Sequence, residues 1–409
     1  MVVNLEAAKA THPPHKGLSK GLGMAYVTLA LLAGSGHCRI HFIFAVAIVP
    51  HNRVKHMSLN LSALTQLGWS DFFEMQLTDQ ERDEAYACRV MEVHRGELHI
   101  SNGEQDSVLA LTPGMIKDMG NTEITVGDWL LTSRMGGEFL RLLERKSEIK
   151  RQAAVANGSE QMVAANIDTL FIVTSCNDDF NLSRLERYLA FAYASDVEPV
   201  IVLTKQDRCD DPQDYVRQAR SLGPAIIAEL VNAKDPETVT CLHHWCKLGQ
   251  TIALVGSSGV GKSTLANALG AADQKTGAIR EDDDKGRHTT THRSLLPLEG
   301  GAVLLDSPGI RGLALVDSGA GVAEAFEDIA ALAAECRFNN CQHDSEPGCA
   351  VKAALEQGDL SQRRLGNYSK LMAEQAHIDA TTVERRKKDK DMGKFHKKVK
   401  GAKKSRQKS

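Results

Sequence analysis

The rhythm of apolar and polar positions changes three times along the chain. From Ala85 to about Glu148, short apolar runs alternate with Gly and Asn turns: Ala87–Val93, Glu97–Ser101, Ser107–Leu111, Gly127–Thr132 and Phe139–Leu143. This spacing predicts about five strands closing into a small β-barrel of the OB type. Ahead of it, Leu59–Trp69 with Phe72 and Phe73 predicts a short lead-in helix. From Asn166 the texture becomes βαβ. Thr169–Thr174, Pro199–Leu203, Thr251–Val255 and Ala302–Leu305 are apolar runs of the kind that fill a parallel sheet. Between the first two, Asn181-Leu-Ser183 followed by Glu186 offers a helix-capping signal, and Leu182, Leu185, Leu189 and Ala192 share one helical face. Beyond Val316 the chain is helical and Ala-rich, and past Arg385 it is a Lys-rich run expected to be disordered on its own.

Bulk properties narrow this picture. A chain of 409 residues exceeds one small core and suggests two to four domains. Residues 385–409 hold 13 of the 49 Lys/Arg but 2 of the 52 Asp/Glu, so a net charge of −3 hides an acidic body and a basic tail. That asymmetry points to a polyanionic partner reached by the tail. Nine scattered cysteines, an odd count, fit a reducing cytosol better than a disulfide framework. The apolar pieces Met24–Gly36 and Phe42–Val49 are broken by His37, Arg39 and His41, and both are shorter than the ~18–20 residues of a spanning helix, so no membrane partner is expected. The simplest reading starts the protein at Met57 and makes 1–56 an extension of doubtful status, which N-terminal analysis of the protein would check.

Three motifs carry chemistry, and each ends a predicted strand, where parallel α/β sheets bind ligands. Gly256-Ser257-Ser258-Gly259-Val260-Gly261-Lys262-Ser263-Thr264 fits the phosphate-binding loop in its strand–loop–helix context. Its N–H groups would wrap a β-phosphate, Lys262 would bridge the β- and γ-phosphates, and Ser263 would ligate Mg²⁺. Thr204-Lys205-Gln206-Asp207 reads as a guanine-reading motif, because the Asp207 carboxylate can accept from both N1–H and the 2-amino group. Its usual first residue is Asn; a Thr204 hydroxyl supplies only part of what an amide does, so weaker nucleotide affinity is expected. The follow-up loop of such a reader is at best Asn232-Ala233-Lys234. Asp306-Ser-Pro-Gly309 would place a carboxylate on Mg²⁺ and the Gly309 N–H near the γ-phosphate. The base reader precedes the phosphate loop here, the reverse of the ordinary GTPase order. In Gly286-Arg-His288-Thr-Thr290-Thr291, one threonine, taken as Thr290, would complete the Mg²⁺ shell, and His288 is either a water-orienting catalytic group or a surface histidine. Ile310 stands where many GTPases carry a water-orienting Gln, so slow intrinsic hydrolysis is expected.

Cys336-x4-Cys341-x-His343-x5-Cys349 offers three thiolates and one imidazole, a closed tetrahedral set for one structural Zn²⁺. Cys241-Leu-His-His244-Trp-Cys246 reads as packing on a helix. The tail interleaves only Phe395 as an aromatic, so backbone contact with a nucleic acid is favoured over base stacking.

With these residues assembled, the chain resembles the circularly permuted RsgA (YjeQ) family of ribosome-assembly GTPases. The resemblance runs from about Leu59 to Tyr368 and includes Val163-Ala-Ala-Asn-Ile-Asp168, Phe180-Asn-Leu182, Gly286–Thr291 and Glu346-Pro-Gly-Cys-Ala-Val351 besides the motifs above. It implies an OB-fold barrel, a permuted α/β P-loop domain and a helical zinc domain, with GTP/GDP, Mg²⁺ and Zn²⁺ as cofactors. The small ribosomal subunit and ribosomal RNA are the implied partners, and the subunit would stimulate hydrolysis. The expected layout is 57–150 for lead-in and barrel, 151–316 for the G domain, 317–384 for the zinc domain and 385–409 for the tail, in a cytoplasmic monomer. Because the strand ending at Asp306 leads straight into the zinc domain, GTP is expected to fix that domain through Ile310–Val316, and hydrolysis to release it. Two other classes stay open: a different P-loop enzyme acting on ATP, and an RNA-binding module with a vestigial nucleotide site.

Overall fold

Strand β1 (Ala85–His94) is the longest among the described residues and the one through which the barrel strands continue into the strands of the α/β part as a single sheet. In a computed structural model of the chain, residues 60–118, 122–152, 160–271, 293–306 and 319–378 are described. Helices α1 (Leu61–Gln66), α2 (Asp71–Glu74) and α3 (Asp79–Glu84) lead in, the last closed by a capping box between Thr78 and Glu81. Then follow β1, β2 (Glu97–Ser101), β3 (Asp106–Ala110), α4 (Pro113–Asp118), β4 (Trp129–Ser133) and β5 (Phe139–Leu142). The five strands match the apolar runs of the sequence closely. Their order is β3-β2-β1-β4-β5, and among the described residues no ladder joins β3 to β5. The barrel is therefore open at that seam rather than closed. One face of β1 packs Val90 with Leu98, Ile100 and Leu130. The other packs Ala85 and Ala87 with Trp129 and the lead-in residues Leu64, Trp69 and Phe73.

A hairpin of β6 (Glu148–Gln152) and β7 (Glu160–Ala165) comes next, and the expected boundary at 150/151 falls inside β6. The α/β part comprises β8 (Thr169–Ser175), α5 (Leu182–Ala194), β9 (Glu198–Thr204), α6 (Pro212–Arg220), β10 (Ile227–Leu230), α7 (Pro236–Val239), β11 (Thr251–Val255), α8 (Lys262–Ala268), β12 (Ser294–Pro297) and β13 (Val303–Asp306). Its strands run β10-β9-β8-β11-β13 in parallel, with β12 antiparallel on β13 and joined to β1 through the pair Glu92–Ser294. Every residue of β8 is buried, as expected of a strand covered on both faces.

Arg89 of β1 fastens barrel to sheet. Its guanidinium donates to the Leu67 and Asn166 carbonyls and to Thr251 Oγ1 of β11 (2.8 Å). Burial pushes its pKa down to about 10, opposed by Asp168 and Asp128.

The C-terminal part holds α9 (Gly319–Ala325), α10 (Glu327–Ala334), α11 (Ala350–Gln357) and a helix over residues 362–378. It docks on α5. A Cβ at Gly321 would strike the Ala190 carbonyl and approach Ala194 N to 2.6 Å, so only glycine lets α9 come this close. Glu186, expected to help cap α5, is fully buried instead and receives Arg363, Arg364 and Asn367. The cap is Asn181 alone, which accepts from Arg184 N. Arg364 also binds Asp328 and lies 4.7 Å over the Phe326 ring. Wholesale release of the zinc domain, expected from sequence, would strip these partners from a buried carboxylate. The linker Ile310–Val316 lies outside the described residues. Glu186→Ala removes the buried carboxylate that Arg363, Arg364 and Asn367 share, while Arg364 keeps Asp328, and is expected to cost about 1–3 kcal/mol, lowering the urea midpoint. An unchanged midpoint would show the joint to be dispensable.

Candidate nucleotide site and metal cluster

The phosphate loop turns sharply after β11 because its glycines take backbone angles that other residues avoid. Gly256, Gly259 and Gly261 have φ of 140°, 78° and 104°. At Gly256 a Cβ would run into the Val173 carbonyl of β8. Lys262 Nζ donates to the Gly256 and Ser257 carbonyls at 2.7 and 2.5 Å, so its ammonium lies over the loop. Ser263 and Thr264 continue the first turn of α8.

The reader segment lies against this loop, although in the chain it comes before it. Thr204 ends β9, is 1% exposed, and its hydroxyl lies 2.6 Å from the Val260 carbonyl and 3.1 Å from that of Thr174. A hydroxyl has one proton to donate, and the shorter contact takes it. Lys205 is left-handed (φ 59°, ψ 34°), and its Nζ donates to the Gly259 carbonyl at 2.7 Å. Gln206 and Asp207 open a 3-10 turn, and Asp207 is exposed. Asp306 ends β13, next but one to β8 across β11, and is half-buried. The sheet thus brings Thr204, Lys205, the loop and Asp306 to one edge. His288, Thr290 and Gly309 lie outside the described residues, as does the tail.

The four zinc-ligand candidates also converge. One ligand atom from each of Cys336, Cys341, His343 and Cys349 lies within 4.8 Å of the others. Cys336 Sγ and Cys349 Sγ are 3.9 Å apart, and His343 Nδ1 is 3.6 and 3.5 Å from them. Metal–ligand bonds of about 2.3 Å to sulfur and 2.0–2.1 Å to nitrogen give tetrahedral edges of about 3.8 and 3.6 Å, so the donors fit zinc. Backbone N–H groups of Gln342, Asp344 and Ser345 surround the Glu346 carboxylate, holding its pKa at about 2 and shaping the loop. The Cys241–Cys246 segment, read as packing on a helix, starts in a 3-10 turn (Thr240–His244) with Cys241 exposed and Cys246 buried, and it forms no metal-binding cluster among the described residues.

Residues 142–316 match a family model described as RsgA GTPase. A protein of Vibrio parahaemolyticus named small ribosomal subunit biogenesis GTPase RsgA 2 is 49% identical over 347 residues, covering 85% of this chain and 95% of that protein. This chain belongs to the RsgA GTPase family. A Mesorhizobium japonicum protein, named small ribosomal subunit biogenesis GTPase RsgA, is 44% identical over 328 residues, covering 79% of this chain and 93% of its own. The structure of YjeQ from Thermotoga maritima matches with a TM-score of 0.55 at 25% identity, covering 71% of this chain and 99% of that one. YloQ, described as a circularly permuted GTPase, shares the fold with a TM-score of 0.53 at 23% identity, over 74% of this chain and 98% of that one.

The RsgA-like string Val163–Asp168 has a structural use that its composition does not disclose. Asn166 is left-handed (φ 58°); its side chain accepts from Lys146 N and donates to the Gly127 carbonyl. Asp168 accepts from Thr251 N and pairs with Lys146. The string therefore locks hairpin, barrel and β11 together. Arg89 is missed from sequence and Glu186 is given a capping role instead of a buried one; a charge in the middle of an apolar strand or helix face was the available signal. No helix among the described residues is long and apolar enough to cross a membrane.

Proposed function

We propose that this protein hydrolyses GTP with Mg²⁺ and acts on the small ribosomal subunit during its late assembly. The observation that carries the nucleotide reading is the pair of hydrogen bonds from Thr204 and Lys205 to Val260 and Gly259, which join base reader to phosphate loop despite their reversed order. The subunit rests on the names of the relatives.

In this reading Thr204 holds the loop rather than touching the base, so its difference from Asn leaves guanine recognition to Asp207. The Asp207 carboxylate accepts from guanine N1–H and the 2-amino group. The loop N–H groups and Lys262 hold the phosphates, whose oxygens replace the loop carbonyls as partners of Nζ. Ser263, Asp306 and Thr290 supply the hard oxygen donors that suit Mg²⁺. Bound there, Mg²⁺ would offset charge on the transferring phosphoryl group. Gly309 meets the γ-phosphate, and His288 orients the attacking water. Zn²⁺ on Cys336, Cys341, His343 and Cys349 is structural, because four protein ligands leave no open position. Ribosomal RNA is met by the barrel and by residues 385–409, in a cytoplasmic monomer.

Turnover of GTP, set beside ATP, tests this with and without small ribosomal subunits. GTP hydrolysis slow alone and at least about tenfold faster with subunits supports it. Equal turnover of ATP, or no stimulation, overturns it. Asp207→Asn reverses a hydrogen-bonding group facing the base and is expected to reduce GTP-over-ATP preference by about 10²-fold or more. Competition binding with the two nucleotides measures this; unchanged preference would remove Asp207 from the base site.

A further inference from the structure

We propose that Glu92, His94 and His99 form a second divalent-metal site, of the two-histidine, one-carboxylate kind, on the β1–β2 hairpin. The sequence Glu92-Val-His94-Arg-Gly-Glu97-Leu-His99 repeats Glu-x-His on both sides of a two-residue turn. The register pairs Glu92 with His99 and His94 with Glu97. Since alternate residues of a strand share a face, all four side chains lie on one face of the hairpin. Leu98 and Ile100 point the other way and are buried, which fixes the hairpin to the barrel core.

Cross-strand ion pairs alone would match each histidine with its own glutamate. Here both imidazoles converge on a single oxygen. His94 Nε2 lies 3.0 Å and His99 Nδ1 3.6 Å from Glu92 Oε2. The three ligand atoms all lie within 4.8 Å of one another. Bonds of about 2.0–2.2 Å give tetrahedral edges of about 3.3–3.5 Å, close to the two distances observed. His99 presents its other nitrogen, Nε2, to Glu97 Oε1 at 3.5 Å. A carboxylate behind a ligating imidazole is the usual means of orienting it.

Two imidazoles and one carboxylate suit zinc and neighbouring first-row ions rather than Mg²⁺ or Ca²⁺. Three protein ligands leave at least one position for water or an outside oxygen donor, unlike the closed cysteine cluster. Glu92 also pairs with Ser294, so the ion would sit at the seam between barrel and β12.

Cobalt titration of the full chain, read by absorption and by metal content, tests the site. The native protein is expected to bind two equivalents. The ion in the cysteine cluster shows thiolate charge transfer, and the other does not. His94→Ala and His99→Ala are each expected to lose only the equivalent without charge transfer, with circular dichroism unchanged. Glu97→Gln, which leaves all three ligands in place, is expected to weaken that equivalent about tenfold. A native chain that binds one equivalent, or a His99→Ala chain that binds the second as tightly as the native one, overturns the proposal.

Discussion

Lys262→Ala is expected to lower subunit-stimulated GTP turnover by about 10²–10³-fold, the scale of losing one preorganised charge at a phosphoryl-transfer centre. The ammonium sits over the loop on the Gly256 and Ser257 carbonyls, in reach of the space that the loop encloses. Its removal takes away the only lysine of the loop and leaves the glycine-shaped backbone intact. The fold is not expected to suffer, because Lys262 is half-buried at the start of α8 and packs in neither core cluster of the α/β part. Steady-state turnover with saturating GTP measures the effect, alongside thermal unfolding. Turnover within threefold of native would mean that this loop does not hold the reacting phosphates.

The second large effect is expected at the cysteine cluster. Cys349→Ser removes a thiolate and alters the cap of α11, since Cys349 Sγ also accepts from Lys352 N at 3.4 Å. Zinc binding to small cysteine–histidine domains is worth about 10–16 kcal/mol, and most of that energy is folding energy. Here Cys336 and Cys349 lie in the same core cluster as Phe326, Ile329, Val351 and Leu365. Loss of the ion is therefore expected to loosen α10, α11 and the loop between them, and to leave the distant phosphate loop folded. Zinc content should fall by one equivalent, proteolysis within 337–349 should rise sharply, and GTP binding should persist. A variant that keeps full zinc content, or resists protease as the native chain does, would refute the structural role.

Much of the site is legible in the sequence because its chemistry depends on residue type at short spacing. Glycines followed by Lys262 and Ser263, a carboxylate at Asp207, and three cysteines around His343 declare themselves within a dozen or so residues each. Barrel strands are legible from alternation, and Glu97–Ser101 matches to the residue. The β6–β7 hairpin is not, because Glu148-Ile-Lys-Arg-Gln152 has a single apolar residue and is held by pairing to β7 rather than by its own pattern. Glu186 reads as a cap for a related reason: its partners Arg363 and Arg364 lie 177 and 178 residues away.

Local pattern by itself marked the five barrel strands, α5 and the four apolar strands of the parallel sheet, where the phosphate-loop and Cys/His motifs lie along the chain, and that the motifs come in permuted order. Only the folded sheet decided that β9 and β11 flank β8, so that Thr204 and Lys205 reach the loop across it. It alone decided that Arg89 and Glu186 are joints, and that two Glu-x-His repeats face one another. The reason is that hydrogen bonding and apolar alternation act over a few residues, whereas the burial of a charge becomes favourable only when distant chain segments bring its partners to it.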